Sequence, residues 1–113
     1  MAARRVILEL GTGNDLHGGD YTKAAVRALR DALWHNSLTV AGAVGKSSDD
    51  MQVEVLIGVP RPDKVDKAEV LKVLPHGIVS VKAVKGGLDI ADPENNDPAV
   101  IASAAVEVRL ELD

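Results

Sequence analysis

Ten residues near the N-terminus, Gly11 to Asp20 (GTGNDLHGGD), carry four glycines, two carboxylates and one imidazole. Asp15 and His17 are separated by a single residue. On extended backbone, side chains two apart point the same way. A carboxylate and an imidazole so placed could share one substrate proton as an acid–base pair, or supply two of the ligands of a divalent metal. The glycines permit positive φ and close backbone approach. The segment also leads into a helix N-terminus, whose free N–H groups attract anions. Gly11, Gly13, Asn14 and Gly18 are therefore candidate ligand contacts, with the Gly11 and Gly13 amides as an anion cradle. The plainer reading is a strand-to-helix turn in which Asp15 caps and His17 hydrogen-bonds locally. Two phosphate motifs are excluded: GxGxxG would need glycine where Leu16 stands, and GxxxxGK[ST] would need it where Val40 stands.

Other groups are more scattered. His35 stands some fourteen residues into the predicted helix, roughly 20 Å from its start. It could join Asp15 and His17 as a third metal ligand only from a neighbouring subunit; alone, it suits a helix C-terminus. His76 sits in a Pro75-His76-Gly77 helix stop, and the same account serves. Gly86 and Gly87, followed by Asp89, form either a second ligand loop or a turn.

The elements that must hold these residues can be read from periodicity. Val6–Leu10 is a short β-rich run ended by Gly11 and Gly13. From Tyr21 to about His35, Ala24, Ala25, Ala28, Leu29, Ala32 and Leu33 recur at helical spacing, with Asp20 as N-cap. Ala41–Asp50 reads as a loop. Gln52–Val59 alternates as a strand, and a second helix is expected from Lys64 to Leu74, capped by Asp63 or Asp66. Ile78–Lys85 and Ala99–Leu112 alternate again, flanking a Gly86–Pro98 loop. The expectation is a single α/β (α+β) domain over 1–113: a βαβαββ chain forming one mixed four-stranded sheet with two helices on one face. The other face carries Val, Ile and Ala with nothing to cover it. Three or more copies packed sheet to sheet would bury it, so a homo-oligomer is expected.

Composition removes several function classes. The chain has 113 residues, 46% of them apolar, with no Phe, one Trp and one Tyr. A core of small aliphatic side chains leaves a thin stability margin, which favours self-association. The formal charge is −4, and no basic stripe interleaves with aromatics, which argues against nucleic acid as partner. Without cysteine there is no disulfide, thiolate ligand or thiol nucleophile. No apolar run suits a membrane span, Glu9 interrupts any signal-like start, and the cytoplasm is the default compartment.

At GTGNDLHG the chain resembles an uncharacterised bacterial and plant family of conserved hypothetical proteins with an N-terminal GxGxDxHG motif. DLHGGDYTKAAVRAL, IGVPRPDKV, VLPHG and VKGGL extend the resemblance over nearly the whole chain. The chain is also distantly similar to the methylerythritol cyclodiphosphate synthases, which open with a strand and a GxDxH loop. That likeness implies a trimer with sites between subunits, a fold like theirs or that of chorismate mutases, and a divalent metal on Asp15 and His17. Their third ligand lies on the next helix; in the similar segment Arg27–Leu33, Arg27 takes its place, which suits a carboxylate or phosphate rather than a cation. The expected function is therefore binding of a small anionic metabolite at an intersubunit site on the Gly11–Asp20 loop. Asp15 and His17 would be catalytic and Arg27 an anion clamp. The alternatives are a non-catalytic regulatory oligomer and a structural metal site.

Overall fold

A computed structural model describes residues 3–34, 40–74 and 77–111. His35 and His76 lie outside the described residues. The fold is mixed α+β: strand β1 (Ala3–Asp15), helix α1 (Tyr21–Trp34), a short α2 (Val40–Ala43), β2 (Gln52–Val59), α3 (Lys67–Leu71), β3 (Ile78–Lys85), β4 (Leu88–Ile90) and β5 (Ala99–Glu111). The sheet order is β1-β5-β2-β3, with β4 also paired to β5. β5 runs antiparallel to β1, β2 and β4, while β2 and β3 are parallel. No helix among the described residues is long and apolar enough to cross a membrane.

The sheet has five strands rather than four, because three residues of the Gly86–Pro98 segment pair with Ala99–Ile101 as β4. The second helix is also shorter than periodicity predicts. Pro62–Lys64 forms a 3-10 turn, Val65 is extended, and α3 begins only after Asp66. Asp66 caps α3 by accepting from the Ala68 and Glu69 amides, while its own amide donates to Thr22 Oγ1 at 2.8 Å. That bond to α1 holds Asp66 out of the helix.

The largest difference concerns β1, which does not stop at Gly11 but continues through Gly13 to Asp15, paired with β5 throughout. The reason lies in α1. Its buried face is Ala24, Ala25, Ala28, Leu29 and Ala32, so the helix backbone can lie almost on the sheet. A Cβ on Gly11 would stand 2.5 Å from the Ala28 carbonyl oxygen, and one on Gly13 would stand 2.7 Å from Arg27 C. The two glycines are the sheet's half of a close helix–strand contact. The rest of the core is aliphatic: Val53, Val55, Ile57 and Val59 of β2 and alternate residues Val100 to Leu110 of β5. α1 and α3 pack together on this face.

β1 is an edge strand, and α1 reaches over its rim. The Thr12 amide donates to Asp31 Oδ2 at 2.9 Å, and Arg27 Nη1 donates to the Asn14 carbonyl at 2.6 Å. A register shift between Arg5 and Ile7 bends the start of the same strand. The molecule measures 58 × 22 × 18 Å, its least dimension that of one sheet and one helix layer. The second face of the sheet is bare.

Candidate functional site

β1, β2 and β3 share one direction, so Asp15, Val59 and Lys85 all end at the same edge of the sheet, where β5 begins at Ala99. Ligands of open α/β sheets bind outside such carboxyl ends. The loop after β1, the start of α1 and the Ala91–Pro98 loop before β5 meet here.

Asp15 is the one buried charged side chain among the described residues, 2% exposed. Its Oδ2 accepts from the Asp20 amide at 2.8 Å. Its Oδ1 faces Lys23 Nζ at 3.5 Å and Arg27 Nη1 at 3.9 Å. Asp20 caps α1, accepting from the Lys23 amide at 3.0 Å. Asp15 therefore ties the turn to the helix start, while Lys23 and Arg27, four residues apart on one helix face, keep about half of each side chain in solvent.

His17 turns elsewhere. Its Nδ1 lies 2.7 Å from Asp97 Oδ2, and its side chain is 84% exposed. The Gly18 amide donates to Asp97 Oδ1 at 2.6 Å; Gly18 has φ +91°, a conformation that presents this N–H without Cβ strain. The hydrogen bond from His17, then the one from the Gly18 amide, hold the Asp97 carboxyl below its usual range. An ionised Asp97 accepts a proton-bearing Nδ1, which leaves Nε2 of a neutral ring as the basic nitrogen. This arrangement can take up or release a proton at Nε2. Beside it, the Tyr21 hydroxyl donates to Asp89 Oδ1 at 2.8 Å. Burial and then this bond raise the Tyr21 pKa above its usual value.

Several expectations change. Asp15 and His17 do not act as neighbours on extended backbone: the strand ends at Asp15, and each residue has its own partners. Outward backbone groups at Thr12 and Asn14 put the Gly11 and Gly13 amides on the side of β5, inside the ladder, so they form no anion cradle. The Asn14 side chain lies on the bare face of the sheet, opposite to Asp15. Gly86 and Gly87 carry the chain from β3 to β4, with Gly86 against Gly58 and Gly87 at φ +61° beneath the Ile101 carbonyl. A metal does not fit these donors. Asp15 is flanked by two cations, His17 has turned away from it to Asp97, and no group of three His, Cys, Asp or Glu residues suited to a metal occurs among the described residues; the Asp97 bond itself leaves His17 Nε2 free. Arg27 does stand beside Asp15. Asp97 and Lys23 escaped the sequence reading. Lys23 was visible as a cation four residues before Arg27, but nothing local marks Asp97, eighty residues from His17.

The comparisons agree with this fold. A family model described as a conserved hypothetical protein family (Lin0512_fam) matches residues 5–108, and the chain belongs to that family. A crystal structure of an FtsZ-like protein of unknown function from Nostoc punctiforme is 42% identical to it, covers 99% of each chain and superimposes with a TM-score of 0.86. No curated protein matches the sequence.

Proposed function

We propose that this member of the conserved hypothetical family binds a small anionic metabolite at the start of α1 and performs proton transfer on it through His17. The observation that carries the reading is the 2.7 Å contact of His17 Nδ1 with Asp97, which fixes an exposed imidazole with its other nitrogen outward. Lys23 and Arg27 are the anion-binding groups, since their contacts to Asp15 are long and half of each side chain is exposed. Asp97 is a positioning residue and Asp15 an anchor for the loop. The cytoplasm, with its pool of small carboxylates and phosphates, is the compartment this reading favours.

The test follows the His17 ring by NMR while acetate, succinate and inorganic phosphate are added in turn up to about 10 mM, above the ~1 mM dissociation constant of weak specific binding. At least one probe should give a saturable shift, lost in the Lys23→Ala/Arg27→Ala double variant. No saturable response to any probe would overturn the reading. His17→Gln, followed by its backbone amide signals, should keep that affinity, because Lys23 and Arg27 carry the anion; affinity lost in His17→Gln would make His17 a binding residue. The His17–Asp97 contact should also fail in acid. Because the Asp97 pKa is lowered on folding, its stabilisation is present above the ordinary aspartate value of about 3.9 and is lost as pH falls through the lower, folded value.

A further inference from the structure

The face of the sheet that α1 leaves bare is apolar along much of its length. Leu8 and Leu10 of β1, Leu56 of β2, Val84 of β3 and Leu88 and Ile90 of β4 are all exposed, Leu10 at 63%. Cross-strand register joins them: Leu10 pairs with Ala105, Ala105 with Leu56, and Leu88 with Ile101. Four strands about 4.8 Å apart along the Gln52–Gly58 ladder, extended by β4, give this face roughly 600 Å² in plan. With its charged positions included, the face approaches the roughly 800 Å² of accessible surface that a stable interface buries per partner.

The charges on the same face select the occupant. Glu54 and Glu107 stand directly opposite each other across β2 and β5, an unfavourable like-charge pair. Arg109 Nη2 covers Glu107 at 2.9 Å. Glu54 has no ion-pair partner among the described residues, and neither has Lys82 of β3. Glu111 and, opposite Arg109, Arg5 share this face, so three carboxylates (Glu54, Glu107, Glu111) meet three cations (Arg5, Lys82, Arg109) and the face is neutral, although the chain carries −4. A nucleic acid or anionic membrane would call for net positive charge. A neutral face with unpaired ions of both signs among its apolar side chains is complementary to itself, as an isologous contact requires.

We infer that this face is the contact surface for a second copy of the chain, with the Leu10–Ala105–Leu56 row at its centre and Glu54 meeting Lys82 of the other copy. The inference does not depend on the proposed ligand. Sedimentation velocity of the full chain over a concentration series tests it. The wild type should associate, and Leu10→Glu/Leu56→Glu should weaken association by at least about 100-fold, as for central interface positions, with an unchanged far-ultraviolet CD spectrum. Should that variant misfold, Lys82→Glu serves: it should weaken association, and Glu54→Lys/Lys82→Glu should restore it by exchanging the two signs. A wild type that stays monomeric, whether or not it sediments with anionic phospholipid vesicles, overturns the inference. So does undiminished association in folded Leu10→Glu/Leu56→Glu or in Lys82→Glu.

Discussion

Gly13→Ala separates a packing role from a ligand-binding role for the first glycines of the GTGNDLHGGD segment. The added methyl would enter the backbone of α1, meeting Ala28 N and the Ala24 carbonyl oxygen, and standing 2.7 Å from Arg27 C. Ordinary carbon–carbon contact is about 3.5–4.0 Å, so the helix must retreat by about 1 Å. No flexible side-chain end is available to yield, because the opposing atoms are main chain. Overpacking costs roughly 1–3 kcal/mol, and the upper end applies here. Relief of glycine's entropy in the strand returns about 0.5–1 kcal/mol. The net loss is then about 2–2.5 kcal/mol, from a total of roughly 6–17 kcal/mol expected for 113 residues. In thermal denaturation followed by CD, that is a fall in Tm of about 10 °C. Gly42→Ala is the control: no heavy atom lies within 4 Å of the Cβ it would gain, and in α2 it should be neutral or stabilising by up to about 1 kcal/mol. A Gly13→Ala protein melting within about 2 °C of the wild type would refute the reasoning. If ligand affinity vanished in that equally stable variant, the backbone cradle would have to be restored.

Two further outcomes follow from the same geometry. Asp15→Ala removes the acceptor of the part-buried Asp20 amide and should cost about 1–3 kcal/mol in urea denaturation, with Asp15→Asn less damaging; equal stability of Asp15→Ala and wild type would contradict the anchoring role. Tyr21 is the only tyrosine, so an ultraviolet difference titration reports it alone. Its pKa is raised on folding, so the associated stability is present below the ordinary value of about 10 and is lost as pH rises through the folded value; Asp89→Asn should bring the titration down, and an unmoved titration would discount the Asp89 bond.

Much of the fold was legible because its signals are periodic. The alanine stripe of α1 and the alternation of β2, β3 and β5 record burial on one face only. Gly11 and Gly13 misled because local chemistry treats glycine as a strand breaker, whereas here it answers Ala24, Ala28 and Ala32 across the helix–sheet contact. That pairing spans about fifteen residues and becomes visible only once α1 is docked. β4 was hidden because three residues in a loop rich in Gly, Asp, Asn and Pro carry no measurable period. At the site, Asp15, His17 and Arg27 were legible from residue type, and Asp20 from its place before a helix. The partner of His17 was not, since Asp97 arrives through the return of β5 to the centre of the sheet. Spacing along the chain predicts contacts within an element; the strand order determines the others.

The two rims of the sheet are unequal. Asp31 and Arg27 occupy outward backbone groups of β1 at Thr12 and Asn14, and the register shift near Arg5 disturbs its other end. The outer rim of β3 has no strand beside it among the described residues. A fibre grown by strand addition needs two receptive rims on every unit, one to accept and one to offer. With two of its groups taken and a register shift at its start, β1 is the poorer rim for that kind of growth. Pairing through β3 would join two sheets edge to edge at that rim, with the blunted β1 at each extremity. A sheet with an exposed, leucine-rich face thus has one rim blunted by two side chains whose more obvious place is beside Asp15 and on the surface of α1.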